Sequence, residues 1–263
     1  MSKIGLKLLS TDCEKYCDGA ISLFRERIFD YIELYIVPDT TSTIEQWKNF
    51  QKLNKPDSPV KIPFILHAPD HKNNISLSTH DNLEHNIEIY KQVDQFKQEL
   101  NAKCIIVTPG TRGVISETAR QLKIINAKNI IIKNNINRIS SLNNAAGIGS
   151  NMEEIEKLKK ELNCGFCLDI DNAICTANLI SESPYELLRQ FSTFNPIMYR
   201  ISGNNITATQ NEHLHFEETQ INYSIISMNI KNNALITINS DNSDSPDLNA
   251  FKEDVKFIRR FCK

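Results

Sequence analysis

The sequence lacks long hydrophobic runs and has no strong excess of charge of one sign. Its 263 residues are 40% hydrophobic and 24% charged, with a formal net charge of −2 at pH 7. The longest purely apolar runs contain only a few residues, whereas a membrane-spanning helix needs about 20. Proteins that bind nucleic acid through a basic surface carry an excess of Lys and Arg. The composition therefore indicates neither a membrane protein nor a nucleic-acid partner.

Three motifs of common enzyme classes are also absent. The first apolar run leads into STDCEKYCDGA, which contains no G-x-G-x-x-G phosphate loop. The chain contains no P-loop and no G-x-S-x-G nucleophile elbow. These absences argue against a dinucleotide-binding open sheet, a P-loop NTPase and a serine hydrolase of the elbow type.

Seven cysteines, an odd number, are scattered through apolar runs such as KCIIV and GFCLDI. A secreted disulfide framework usually has an even number of cysteines. Cys164 and Cys167 form a C-x-x-C pair, but no second pair follows at zinc-ribbon spacing. We interpret the cysteines as reduced core thiols. Because MSKIGLKLLS also has no apolar signal core, we expect a cytoplasmic protein.

Short apolar, β-branched runs recur about every 33 residues, the length of one strand with one crossover helix. We predict eight strands, at residues 3–9, 31–37, 62–68, 104–109, 129–134, 165–170, 197–202 and 234–239. Helical periodicity fills the intervals, most clearly at residues 81–100, 151–162 and 246–262. This pattern predicts an α/β protein with a single (β/α)8 TIM barrel, which occupies residues 1–263 as one domain. A doubly wound open sheet is the alternative, which the missing phosphate loop disfavours.

The carboxyl ends of the strands in a TIM barrel meet at one mouth, which holds the active site. The segment CGFCLDIDNAICTA fits this pattern, because its apolar run ends in Asp169 and Asp171. Polar residues also end or follow most of the other predicted strands. They are Glu33, His67, Asp70, His71, Thr108, Lys133, Asn134, Arg200, His213, His215 and Asn239. We expect these side chains to lie around a common site.

Six motifs, taken in order, resemble the xylose-isomerase-like barrel superfamily and, within it, the endonuclease IV branch. They are FILHAPD, IIVTPG, IIIKNN, GFCLDIDNA, MYRISGN and NEHLHFEE. The resemblance spans roughly residues 3–240. It implies a barrel whose mouth binds divalent metals, typically zinc, through acids and histidines. It also implies activity as a repair nuclease or, in the wider superfamily, as a sugar isomerase or epimerase with one or two metals.

Only part of the metal-binding set that the resemblance implies is present. His67, Asp169 and His213 match family positions. The other positions carry different residues, namely Thr108, Lys133, Asn172, Arg200, Asn211 and Asn239. At about 4 Å and an effective dielectric near 20, each fixed cation would repel a dication by roughly 8 kcal/mol. We therefore expect no cofactor and no multinuclear site. The alternative is a single zinc or manganese ion on the three matching residues.

The resemblance and the site residues together predict a sugar or sugar phosphate isomerase or epimerase. Moving a proton beside a carbonyl needs a base and a group that stabilises the enediolate. His67, Asp169 and Lys133 are the predicted catalytic residues, as base, orienting group and electrophile. We expect the ligand to be small and anionic or sugar-like. The predicted ligand-binding residues are Glu33, Asn134, Arg200, His213 and Asn239.

Two other functions stay open. One is a degenerate, non-catalytic barrel that binds an anionic ligand or a protein partner. The other is an abasic-site nuclease like endonuclease IV, although cleavage in that branch depends on its metals. Single residues also have structural interpretations: Asp169 and Asp171 would cap the following helix, and Lys133 would form an ion pair. The sequence predicts no oligomeric state.

Overall fold

A computed structural model describes residues 2–53, 61–219 and 221–262. The strands in chain order are β1 (Lys3–Leu9), β2 (Tyr31–Tyr35), β3 (Phe64–His67), β4 (Ile105–Val107), β5 (Gly110–Thr111), β6 (Ile130–Lys133), β7 (Arg138–Ile139), β8 (Ala145–Ile148), β9 (Gly165–Asp169), β10 (Met198–Ile201) and β11 (Leu235–Ile238). All of them except β5, β7 and β8 form a closed parallel barrel in chain order, with β11 pairing β1. The predicted (β/α)8 TIM barrel is therefore confirmed.

Helices connect the barrel strands and cover the outside of the barrel. They are α1 (Cys13–Arg25), α2 (Ile44–Leu53), α3 (Leu83–Leu100), α4 (Ile115–Ile125), α5 (Met152–Leu162), α6 (Ile170–Leu179), α7 (Pro184–Ser192), α8 (Tyr223–Ser227) and α9 (Asn249–Ile258). Short 3₁₀ helices occur at Thr41–Thr43, His71–Asn73, His80–Asn82, Ser140–Leu142 and Phe216–Glu218. No helix in the described part of the chain is long and apolar enough to cross a membrane.

Each of the eight predicted strands contains a barrel strand, most of them one or two residues shorter at an end. The predicted helices at 81–100, 151–162 and 246–262 correspond to α3, α5 and α9. All seven cysteines are free; four of them are buried and Cys17, Cys104 and Cys164 are half-buried. One domain over residues 1–263 stays a prediction, since residues 1, 54–60, 220 and 263 lie outside the described ranges.

Alternation along the strands separates two kinds of side chain. Outward-facing residues such as Leu34 and Phe166 join the large core between barrel and helices, where Trp47 and Phe191 are fully buried. Inward-facing residues near the amino ends of the strands form a separate apolar cluster inside the barrel. Its buried members are Tyr31, Ile65, Ile106, Ile131, Cys167 and Met198. The lower half of the barrel is therefore filled with side chains.

A small antiparallel sheet, in the order β5-β8-β7, forms outside the barrel from the loops that follow β4 and β6. This sheet was not predicted from the sequence. Arg138 and Ile139 of β7, together with Ser140, line the cavity at the barrel mouth. The sheet therefore supplies one wall of that cavity.

Candidate functional site at the carboxyl end of the barrel

The carboxyl ends of five strands of the barrel bring charged or titratable side chains together inside its mouth. Glu33 lies on β2, His67 ends β3, Lys133 ends β6, Asp169 ends β9 and Arg200 lies on β10. All five are almost completely buried, with Lys133 the most exposed at 5%. Each lies two residues after a member of the apolar cluster on the same strand, so strand alternation turns it inward. These five side chains therefore lie together, as expected from the sequence.

Arg200 is the centre of this group. Its Nη1 donates to Asp169 Oδ2 at 2.6 Å, and its Nη2 donates to Asn239 Oδ1 at 2.8 Å. Its Nε lies 3.0 Å from Glu33 Oε1 in an ion pair. Burial opposes the charge of Glu33, but Arg200 and His67 hold its pKa well below the usual range. One guanidinium therefore compensates two buried carboxylates.

Asp169 has two cationic neighbours and a structural role at once. Lys133 Nζ lies 3.7 Å from Asp169 Oδ2, the same oxygen that binds Arg200. The other oxygen, Oδ1, accepts from the backbone N–H of Asn172 at 3.1 Å and caps α6. Burial opposes its charge, yet Arg200 and Lys133 lower the pKa of Asp169. The two structural interpretations, a helix cap by Asp169 and an ion pair of Lys133, are therefore both present.

His67 presents one ring nitrogen to the ion network and leaves the other without a partner. Nδ1 lies 2.9 Å from Glu33 Oε1, while Nε2 is buried and has no hydrogen-bond partner among the described residues. Because Glu33 is ionised and can only accept, Nδ1 carries the proton. Burial first, then the cations Arg200 and Lys133, lower the pKa of His67 to about 4, although Glu33 opposes this. His67 is therefore neutral at pH 7, and Nε2 is an unprotonated acceptor.

Asn134 is bound through its side chain to the backbone at the end of β9, next to the charged group. Its Nδ2 donates to the backbone O of Asp169 at 2.9 Å, and the backbone N–H of Asp169 donates to its Oδ1 at 2.7 Å. This pair of bonds fixes the end of β9 relative to β6 and orients the Asp169 side chain. Asn134 does not line the cavity, and neither does Glu33. Ligand binding by these two residues stays a prediction.

His213 follows β10 on a loop, with a left-handed backbone at φ 53°. Its Nδ1 lies 3.1 Å from the backbone O of Asn239 and 2.9 Å from Asn239 Nδ2. Burial, with Lys7 and Lys72 nearby, lowers the pKa of His213 to about 3. His213 lines the cavity, whereas Asn239 lines a neighbouring one.

The three residues that match metal-binding positions of the family do not form a metal site in this arrangement. Asp169 is bound by Arg200 and His213 is directed to Asn239, so of the three it is His67 that keeps, at Nε2, a buried ligand atom with no partner among the described residues. In the described ranges, no group of three or more His, Cys, Asp and Glu side chains is arranged to hold a metal ion. The guanidinium already compensates the carboxylates that a dication would need. These residues therefore do not fit a divalent metal.

The cavity at the mouth has a volume of about 210 Å³ and is lined mainly by polar and charged residues. Its cationic lining residues are Lys7, Lys72, Lys133, Arg138 and Arg200, and its acidic ones are Asp70 and Asp169. Drug-sized ligands usually occupy roughly 300–1,000 Å³, so this cavity suits a smaller molecule.

Lys7 also lines the cavity, although it was not among the site residues predicted from the sequence. It lies on β1 beside Glu33 of β2. Burial first, and then Arg200, lowers the pKa of Lys7 to about 7. Alternation in KIGLKLL turns Lys7 to the same face as Gly5 and was a usable signal, because that face is the inside of the barrel.

Asp70, one of the strand-end candidates, is buried at the edge of the cavity. Its Oδ1 accepts from the Tyr35 hydroxyl at 3.1 Å and from the backbone N–H of Lys72 at 3.0 Å. Burial opposes the charge, but Lys133 and His71 hold the pKa of Asp70 well below its usual range. Asp70 is therefore a second carboxylate that attracts Lys133.

No protein-family model matches the sequence, and no curated protein matches it. Solved structures do match its fold. A D-tagatose 3-epimerase-like protein aligns with a TM-score of 0.66 and 16% identity over 98% of both chains. Endonuclease IV from Thermus thermophilus aligns with a TM-score of 0.64 and 12% identity over 97% of this chain and 99% of its own.

A xylose isomerase domain protein from Planctomyces limnophilus aligns with a TM-score of 0.65 and 10% identity over 99% of this chain and 96% of its own. The chain is thus a closed parallel (β/α)8 barrel with a charged mouth. More particularly, its fold is similar to those of the epimerase-like protein, the endonuclease IV and the xylose isomerase domain protein, in agreement with the barrel that the sequence predicted. At these identities the likeness concerns the fold, and the site must be interpreted from its own residues.

Proposed function

We propose that the protein binds a small anionic, sugar-type ligand at the barrel mouth and moves a proton beside its carbonyl, as an isomerase or epimerase does. Side-chain cations take the electrostatic place of a metal. The observation that carries this proposal is the ionic contact of Arg200 with both Glu33 and Asp169 beside the open cavity. Structural likeness to a D-tagatose 3-epimerase-like protein supports the ligand class.

The charge of the cavity wall favours an anion. Five cationic side chains line it against two carboxylates, and both carboxylates already have cationic neighbours. The exposed cations Lys72 and Arg138 lie at the rim, where they would attract a phosphate or carboxylate group. Lys133 and Lys7 lie deeper in the cavity than these two rim residues. A bound anion would reduce the mutual repulsion of these buried cations.

The proton transfer is assigned to His67 and Lys133. His67 Nε2 is unprotonated at neutral pH and is the acceptor for the proton beside the carbonyl. A base with a pKa of about 4 is weak, so the reaction depends on strong stabilisation of the enediolate oxygen. Lys133 supplies that stabilisation as a buried cation, and Asp169 holds Lys133 and Arg200 in position.

The experiment combines ligand binding with proton exchange. Calorimetry with triose, tetrose and pentose phosphates measures affinity, and NMR in D₂O measures exchange of the hydrogen beside the carbonyl. Lys133→Ala should lower the exchange rate by roughly a hundredfold or more, because the cation at the enediolate oxygen is lost. Lys157→Ala, at an exposed position on α5, is the matched control and should change neither the ligand affinity nor the exchange rate. Exchange that is equally fast in Lys133→Ala would contradict the assignment.

A non-catalytic binding barrel is the second candidate, because Asp169 and Arg200 are already bound to each other and to other protein groups. It predicts that a sugar phosphate binds and that no hydrogen exchanges. A nuclease of the endonuclease IV type predicts cleavage of an abasic-site duplex that depends on added zinc. The donor set of the mouth disfavours this outcome, and the cleavage assay with and without zinc tests it directly.

A further inference from the structure

Lys7 lies where two cavities meet. It lines the mouth cavity and a neighbouring cavity of about 370 Å³. The second cavity lies between the loop after β1 and residues 239–243, and it shares Lys72 and His213 with the first. The side chain of Lys7 is partly accessible, unlike that of Lys133. Lys7 therefore borders both cavities.

The surroundings of Lys7 favour a neutral amine. Among the described residues, its amine has no carboxylate within ion-pair distance, and the Tyr35 ring centre is 6.0 Å away. Lys133, in contrast, is 3.7 Å from Asp169. Burial and the Arg200 charge lower the pKa of Lys7 to about 7; Lys72 and Lys133 act in the same direction and Glu33 opposes them. A lysine beside another cation in a desolvated site is the usual form of an activated amine nucleophile.

We infer that Lys7 forms an imine with the carbonyl carbon of an anionic aldehyde or ketone ligand bound in the mouth cavity. The inference rests on the proposed function for the ligand class. The Nζ lone pair attacks the carbonyl carbon, and a C–N bond forms. The carbonyl oxygen takes both amine hydrogens and leaves as water, so the step needs no oxidant or reductant. The imine then takes up a proton from solvent, which makes the adjacent C–H more acidic than in the free carbonyl, and loss of that hydrogen gives an enamine in place of the enediolate.

The test traps the imine in the unmodified full-length protein. D-Glyceraldehyde 3-phosphate is added near pH 7.5, sodium borohydride reduces any imine to a stable amine, and mass spectrometry of peptides locates the adduct. The expected result is one adduct per chain at Lys7. Lys7→Arg should lower adduct formation at least tenfold. Lys3→Arg, an exposed lysine at the other end of β1, is the matched control and should leave adduct formation unchanged.

Other outcomes overturn the inference. Adducts spread over exposed lysines, or concentrated at Lys133 with Lys7 unmodified, would show that Lys7 is not the reactive amine. sn-Glycerol 3-phosphate, which has no carbonyl, separates this failure from that of the proposed function. If it binds and no adduct forms at Lys7, the imine is wrong and the anion site stands. If neither compound binds and no sugar phosphate of the calorimetric series does, the proposed function fails and the imine fails with it.

Discussion

Two layers of inward-facing side chains lie two residues apart on the same strands of the barrel and differ entirely in chemistry. The lower layer contains Tyr31, Ile65, Ile106, Ile131, Cys167 and Met198. The upper layer contains Glu33, His67, Thr108, Lys133, Asp169 and Arg200. Both layers are almost completely buried. The difference in chemistry therefore does not follow from a difference in exposure to solvent.

The comparison separates what stabilises the barrel from what gives it a function. Apolar side chains of the lower layer stabilise the fold through burial, at roughly 1.5–3 kcal/mol for a large side chain. Buried ions cost several kcal/mol each in lost hydration, and their mutual attraction offsets this only when the geometry is good. Several polar atoms of the upper layer, including Glu33 Oε2, His67 Nε2 and Thr108 Oγ1, have no hydrogen-bond partner among the described residues. An arrangement this costly lies at the end of the barrel where ligands bind, which supports a functional role.

Arg200→Met should give the largest effect, because it removes the cation between Glu33 and Asp169 and leaves uncompensated buried charge. We expect the free energy of unfolding to fall by about 3–5 kcal/mol. Urea unfolding measures this. Met198→Leu, two residues earlier on β10 and in the lower layer, is the control and should cost less than about 1.5 kcal/mol. Equal costs for both variants would contradict the division into two layers.

Gly5→Ala tests the lower layer. A Cβ atom at Gly5 would lie 2.3 Å from Cε2 and Cζ of the Tyr31 ring, which extends across β1 inside the barrel. We expect a loss of about 1–3 kcal/mol from overpacking, measured by urea unfolding. In a Tyr31→Leu background the obstructing ring is gone, so Gly5→Ala should cost much less. Costs that simply add in the double variant would show that the ring is not the cause.

The sequence was sufficient to predict the barrel and the location of the site. Each strand is an apolar run of the right length, and the carboxyl ends of parallel strands must converge. Asp169, Lys133 and Arg200 could therefore be placed together from the sequence alone. The contact of Arg200 with Glu33 was not predicted, because β10 and β2 are separated by β11 and β1, whereas Asp169 lies on the strand next to Arg200. Such contacts depend on strand tilt and side-chain conformation, which leave no local pattern in the sequence.

Two further features escaped prediction for physical reasons. Strands of two residues, such as Gly110–Thr111 and Arg138–Ile139, are too short to show an alternating pattern. The side chain of Asn134 is hydrogen-bonded to the backbone of Asp169. The sequence alone does not distinguish a strand-end asparagine that contacts a ligand from one that contacts the protein. The missed Lys7 differs, because alternation alone would have identified it.

Lys7, whose register partner on β2 is Glu33 of the upper layer, should make stability depend on pH. Its pKa is about 7 in the folded chain and near 10.4 when unfolded. Between these values the unfolded chain binds more protons, so the free energy of unfolding should rise with pH by at most about 1.4 kcal/mol per unit. Lys133, whose pKa is also lowered, acts in the same direction. Urea unfolding near pH 7 and near pH 9 should show a smaller rise in Lys7→Met than in the unmodified protein. An unchanged rise would show that Lys7 is protonated in the folded state.

The last prediction concerns a polar contact of Tyr31, a residue of the lower layer. The Tyr31 hydroxyl lies 3.0 Å from Thr237 Oγ1, and both residues are buried. Tyr31→Phe or Thr237→Val alone leaves one buried hydroxyl without this partner and should cost about 1–3 kcal/mol at most. The double variant removes both hydroxyls and should cost less than the sum of the single costs. Unfolding of all four proteins gives the coupling energy. A coupling near zero would mean that the lower layer is apolar in its energetics throughout, and the contrast with the ionic layer above it would become sharper.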